Sequence, residues 1–134
     1  MNKFKYSTVM LVDDNDIDNF VNRKTLELTH FAEHIIAFIK PVSALEFIAA
    51  TKPDNTEMIA SLPQIIFLDL NMPTMNGYEF VAVFEKINPA ITQHIRIVML
   101  TSSLNNSDRD QSLALKPVSN FISKPLERKH LAEL

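Results

Sequence analysis

The chain is 134 residues long, 46% hydrophobic and 22% charged, which suits one domain able to bury its own core without covalent staples. It has no cysteine, one glycine and a net charge of −3. These exclude disulfide scaffolds, thiolate metal sites, thiol nucleophiles, glycine-rich phosphate loops and a basic footprint for nucleic acid. No apolar run approaches the roughly 20 residues needed to span a bilayer, so no membrane partner is expected and a reducing, cytoplasmic setting fits.

Residues 1–6 are polar and lysine-bearing and lead into only a short apolar stretch, the approach to a strand rather than a signal peptide. Apolar runs follow at 7–12, 34–39, 64–68, 96–100 and 120–122, rich in Ile, Val, Leu and Phe and mostly too short for helices. Their near-continuous apolarity predicts strands covered on both faces, as in a parallel sheet. Between them lie helical patterns. The first spans about 16–29, with Ile17, Phe20, Val21, Lys24 and Leu28 on one face. The second is expected to start at Ser43, where Ser43 and Glu46 read as a capping box. The third begins near Gly77 and carries Phe80, Val81, Phe84 and Ile87. The fourth follows the cap signals Asn105-Asn106-Ser107-Asp108 and ends before Pro117. The last runs from Leu126, with Leu131 and Leu134 three apart and Pro125 just ahead, where its missing N–H costs little. The stretch 51–63 is longer than a turn needs and reads as a surface insertion that prolongs the second helix or loops beyond it. Regular alternation of strand and helix predicts a doubly wound α/β domain with a five-stranded parallel sheet.

In such a sheet, ligands bind beyond the carboxyl ends of the strands. The first strand ends in Asp13-Asp14, the third in Asp69, the fourth in Thr101-Ser102-Ser103 and the fifth in Ser123-Lys124-Pro125. Taken singly, each has a plainer reading: a helix cap cluster, a turn, a solvated lysine. Their joint placement brings three carboxylates, a hydroxyl and an ammonium to one edge. Crowded carboxylates need a cation to stay ionised, and oxygen ligands alone favour Mg²⁺. An oxygen-held Mg²⁺ beside an accessible carboxylate suits phosphoryl transfer, with the carboxylate as nucleophile.

With these residues in place, the chain resembles the response-regulator receiver domains of two-component signalling, the family of the chemotaxis regulators. The matching residues are Asp13-Asp14, Asp69 within Phe67-Leu68-Asp69-Leu70-Asn71-Met72-Pro73-Thr74-Met75-Asn76-Gly77, Thr101, and Phe121-Ile122-Ser123-Lys124-Pro125-Leu126. The resemblance implies a flavodoxin-like (βα)5 sandwich with strand order 2-1-3-4-5. Only nine residues follow Pro125, which is expected of a single receiver domain over 1–134 with no output domain or of one trimmed from a longer chain. It implies a signalling phospho-acceptor rather than an enzyme, though one with autophosphorylation and autodephosphorylation chemistry. Asp69 would be the phospho-acceptor. Asp14 and Asp69 would bind Mg²⁺ by side chain and Asn71 by its backbone carbonyl, with Asp13 orienting metal-bound waters. Lys124 and Thr101 would contact the phosphoryl group, Thr101 and Phe121 would form the switch, and Asn71 and Ser103 would tune the lifetime. The Lys124-Pro125 bond would be cis. Implied partners are a histidine kinase or histidine phosphotransfer protein and a downstream protein target, with a homodimer on phosphorylation as a further option.

Pro117 and the residues around Val42 stand where the family often has glycine, which leaves the end of the fourth helix without a left-handed cap. Two rivals remain. One is a degenerate receiver acting as an unphosphorylated scaffold. The other is a haloacid-dehalogenase-type phosphatase, which wants a second Asp where this chain has Asn71. His30 and His34 straddle a helix end and are not expected to form a metal pair, and Met10 and Met99 are expected in the core.

Overall fold

The computed structural model describes residues 3–103 and 105–134, so positions 1 and 2 of the polar start lie outside the described residues. Five strands, β1 (Tyr6–Val12), β2 (Ala32–Phe38), β3 (Ile65–Asp69), β4 (Arg96–Thr101) and β5 (Val118–Ser123), form one parallel sheet in the order β2-β1-β3-β4-β5. The helices are α1 (Asp16–Leu28), α2 (Pro41–Ala49), α3 (Thr56–Ala60), α4 (Gly77–Phe84), α5 (Pro89–Thr92), α6 (Asn106–Leu113) and α7 (Arg128–Leu131). The doubly wound α/β reading and the predicted strand order both hold.

Strand alternation divides the core into two layers. Val9, Leu11, Ile65, Phe67, Val98 and Leu100 face the α1 and α7 side, where Leu26, Leu126, Leu131 and Leu134 cover them. Met10, Val12, Ile66, Leu68, Ile97 and Met99 face the other way, under Ala44, Leu45 and Ile48 of α2 and Phe80, Val81 and Phe84 of α4. The β1, β3 and β4 residues in these layers are buried on both faces, which is why they read as unbroken apolar runs.

Two local expectations need correction. The second helix does not start on a Ser43–Glu46 capping box: Pro41 occupies its first turn and Lys40 its N-cap, without a side-chain cap bond. Proline's fixed φ suits that position, so the ring starts the helix two residues early. The 51–63 stretch neither prolongs α2 nor stays irregular. It folds into the separate helix α3, whose N-cap Asn55 accepts the Met58 N–H at 3.0 Å.

The phase of α1 runs against its composition. Its apolar stripe points outward: Ile17 is 71%, Phe20 61% and Leu28 73% exposed, and Val21 is exposed too. The inner face carries Asn19, Asn22 and Leu26. The Asn19 amide donates to the carbonyls of Asp13 (3.0 Å) and Phe38 (3.3 Å), and Asn22 Oδ1 accepts the Leu126 N–H at 3.0 Å. Asn15 caps the helix through the Ile17 and Asp18 N–H groups, only three residues after β1. A short connection and two inward amides thus fix the rotation of α1 against its apolar periodicity. Turning the stripe inward would take the Asn19 donor from the Asp13 carbonyl and the Asn22 acceptor from the Leu126 N–H, at about 1–3 kcal/mol each.

The α6 end agrees with the missing left-handed cap. Its C-cap Ala114 is right-handed, and the Leu115 carbonyl is taken by the Val118 N–H at 3.0 Å. His30 turns the chain between α1 and β2 with φ 52°. Gly77 has no positive φ. Its requirement is steric, because a Cβ there would lie 2.7 Å from Met99 Sδ and 3.1 Å from the Leu70 backbone.

Candidate functional site

The site lies at the carboxyl edge of the sheet, where β1, β3, β4 and β5 end. The Asp13 N–H pairs with the Phe38 carbonyl (3.1 Å), which continues the β1–β2 ladder and fixes the residue at the edge. Its Oδ1 accepts the Asn15 N–H at 3.0 Å. Asp69 closes β3, and its Oδ1 accepts the Asn71 N–H at 3.2 Å. The Leu70 N–H then bonds the Leu100 carbonyl and the Gly77 N–H bonds the Leu70 carbonyl, both at 2.8 Å, folding the 70–77 loop back over the edge. An Asn76–Glu79 capping box anchors that loop onto α4.

One carboxylate oxygen each from Asp13, Asp14 and Asp69 lie within 4.8 Å of one another. Asp13 and Asp69 are buried and Asp14 is exposed, so the cluster opens to solvent on one side. Lys124 reaches in from the end of β5. Its Nζ lies 3.0 Å from Asp13 Oδ2, 3.4 Å from Asp69 Oδ1 and 2.9 Å from Asp18 Oδ2. The cis Lys124-Pro125 peptide, the Lys124 N–H on the Thr101 carbonyl (2.7 Å) and the Leu126 N–H on Asn22 hold this loop in place.

The electrostatics follow from burial and crowding. Asp69 is pushed up from 3.8 to about 6, first by burial and next by the charge of Asp13, against the opposing pull of Lys124. Burial works against the charge of Lys124, but the hydrogen bonds to Asp18 and Asp13 and the charges of Asp13 and Asp69 outweigh it. The ammonium is held above its usual value. Three carboxylates and one ammonium leave the cluster short of positive charge. This donor set of hard oxygens, open on the Asp14 side, fits a divalent cation such as Mg²⁺.

The other residues singled out from sequence are distributed around this cluster. Thr101 is fully buried, and its hydroxyl donates to the Ser103 carbonyl (3.0 Å) while accepting the Ser103 N–H (3.1 Å). The hydroxyl is therefore turned into its own loop. Phe121 on β5 is half-buried and packs against the layer containing Met99 and Met10. Asn71 and Ser103 are both exposed at the rim. Beside Lys124 opens a cleft of about 350 Å³ lined by Asp18, Val21, Asn22, Ser102, Lys124 and Pro125.

Sequence reasoning missed Asp18, Asn19 and Asn22. Asn19 and Asn22, three apart opposite the apolar stripe, marked a polar inner face.

Comparisons with known proteins bear on the family and the fold. The family model described as the response regulator receiver domain matches residues 9–134. A two-component response regulator, ORR1 of Oryza sativa subsp. japonica, is 27% identical over 128 residues covering 94% of this chain. This chain spans about half that relative's length (52%). Among solved structures, a two-component response regulator from Cytophaga hutchinsonii superposes with a TM-score of 0.83 at 30% identity, covering 96% of this chain and 93% of that one. The Mn²⁺-bound form of response regulator Rcp1 gives a TM-score of 0.68 at 27% identity, covering 95% and 87%.

Proposed function

This chain belongs to the response regulator receiver family, a family of signalling domains, and from that premise we propose that it accepts a phosphoryl group on Asp69 from a phosphohistidine. The observation that carries the reading is the convergence of Asp13, Asp14 and Asp69 within 4.8 Å, with the Lys124 ammonium at 3.0 and 3.4 Å from the two buried members.

Asp14 and Asp69 would hold Mg²⁺ by their side chains and Asn71 by its backbone carbonyl, with Asp13 orienting metal-bound water. The Mn²⁺-bound Rcp1 structure supports a divalent ion in this fold. When bound, the ion neutralises charge spreading over the phosphoryl oxygens. A histidine kinase or histidine phosphotransfer protein would present its phosphoimidazole at the strand ends. A carboxylate oxygen of Asp69 attacks phosphorus in line, and the new O–P bond forms as the P–N bond breaks. The imidazole nitrogen keeps the electron pair and takes up a proton. Lys124 moves from Asp69 to a phosphoryl oxygen, where its fixed positive charge acts on the developing anion.

The approach of the partner runs over α1. Val21 and Pro125 line the cleft beside Lys124, and Ile17, Phe20 and Leu28 continue the Val21 face as an apolar surface. A protein reaching Asp69 across this cleft buries that surface.

The product carries new negative charge, which draws the Thr101 hydroxyl away from Ser103 and toward the phosphoryl group. The space vacated lets Phe121 turn inward, and the surface of α6, β5 and α7 changes with it. Asn71 and Ser103, exposed at the rim, flank the approach of hydrolytic water and set the lifetime.

The test is binding of beryllofluoride, a phosphoryl mimic, with Mg²⁺ as the added cation. The wild-type chain shows saturable binding, lost in Asp69→Ala. Mg²⁺ affinity falls as pH drops through about 6, because protonation removes the Asp69 charge. An inert wild type would leave the scaffold reading in its place.

A further inference from the structure

Lys124 has one partner more than its proposed task needs. Two of its carboxylates, Asp13 and Asp69, are almost fully buried. The third, Asp18, is the nearest at 2.9 Å, and its side chain is 39% exposed. It lies outside the cluster that can hold a cation. It also lines the cleft together with Lys124, Ser102 and Pro125, beside the ammonium that reaches Asp69. The ammonium is thus suspended between an inner acidic pair and an outer acid at the entrance.

A role for Asp18 in helix stability alone explains little of this. An acid in the first turn favours a helix through the backbone dipole, but Asp16 stands in that turn as well. Asp16 is exposed and has no ion pair among the described residues. Of these two, Asp18 is the one that reaches Lys124, and its own N–H is fixed on Asn15 Oδ1 at 3.1 Å.

We propose that Asp18 is a positioning residue that restrains Lys124 in the resting site and sets the donor preference of Asp69. Two effects act in one direction. Lys124 must leave Asp18 before it commits fully to a phosphoryl oxygen. The Asp18 carboxylate also repels small phosphoryl donors, which arrive as free anions. A protein donor docked over α1 covers the cleft and brings contacts that offset both effects. Asp18 therefore suppresses adventitious phosphorylation by small metabolite-like acyl phosphates. This inference rests on the phospho-acceptor reading of Asp69.

The experiment compares the wild-type chain with Asp18→Asn, Asp18→Glu and Asp16→Asn in the presence of Mg²⁺. Acetyl phosphate is the donor in one arm and beryllofluoride the ligand in the other. Asp18→Asn raises the phosphorylation rate by about twofold to fivefold, the scale of one weakened ion pair. It tightens beryllofluoride binding by a similar factor. Both gains shrink only in part at about 0.5 M salt, which screens the repulsion of free anions more than the half-buried 2.9 Å contact. Asp18→Glu keeps the suppression, and Asp16→Asn changes either quantity less than about twofold. A competent wild type matched by Asp18→Asn at low salt overturns this inference alone. So does an equal gain from Asp16→Asn, since helix charge would then suffice. A wild type inert to both reagents overturns the phospho-acceptor reading and this inference with it.

Discussion

α1 and α4 cover opposite faces of the same sheet and treat their apolar residues in opposite ways. In α4, the residues that recur at helical spacing, Phe80, Val81 and Phe84, are buried against Met10, Ile66 and Met99. In α1, the equivalent stripe of Ile17, Phe20, Val21 and Leu28 faces solvent, and two amides and Leu26 face the sheet. An apolar period thus locates a helix without fixing which side it buries. For α4 the sheet offers only apolar surface, and the hydrophobic effect sets the rotation. For α1 the sheet edge offers the carbonyls of Asp13 and Phe38 and the N–H of Leu126, and hydrogen bonding sets it.

The largest effect expected from this contrast is on stability. Phe80 is fully buried and is among the largest side chains in the core. Phe80→Ala removes its transfer energy and leaves a cavity, a loss of about 3–5 kcal/mol. Urea denaturation measures it through the midpoint at unchanged slope. A loss under about 1 kcal/mol would mean that α4 does not seal the layer as described.

A smaller effect tests the polar inner face of α1. Asn22→Leu adds apolar volume where an ordinary amphipathic helix would want it. Here it leaves the Leu126 N–H without its acceptor, at a cost of about 1–3 kcal/mol. Amide hydrogen exchange at Leu126 accelerates, because the loop that carries Lys124 loses its tether. If Asn22→Leu stabilised the protein instead, the inward amides would be incidental and the orientation of α1 would need another cause.

The same contrast separates what was legible in the sequence from what was not. β1, β3 and β4 read clearly because burial on both faces leaves little room for polar residues. β2 and β5 lie at the sheet edges and are less buried, with Glu33 and Ser119 exposed near their starts. Their apolar runs at 34–39 and 120–122 therefore begin two residues after the strands themselves, which start at Ala32 and Val118. α3 and α5, of five and four residues, are too short to carry a period. The carboxylate cluster was legible because strand ends place Asp13, Asp14 and Asp69 whatever the helices do. The contact between Asp18 and Lys124 was not, because it depends on the phase of α1. That phase is set by side-chain hydrogen bonds to backbone groups remote in sequence.

The smallest effect on stability is expected at Phe20, and its value lies in being small. Phe20 is 61% exposed, and Lys24 Nζ sits 5.5 Å from its ring centroid, a weak contact at an exposed site. Phe20→Ala changes stability by no more than about 0.5 kcal/mol, the range of ordinary surface substitutions. If α1 is the face on which a phosphohistidine-bearing protein docks, the same change slows transfer from such a protein by about tenfold or more, as loss of an aromatic anchor does. Phosphorylation by acetyl phosphate stays unchanged, since that donor needs only the cleft and not the helix face. A stability loss near that of Phe80→Ala would mean the helix is turned the other way. Equal slowing with both donors would mean that truncation disturbs the cleft itself. A protein donor indifferent to Phe20, with the phenylalanine confirmed as exposed, would move the docking face off α1 and leave its apolar stripe to some other contact.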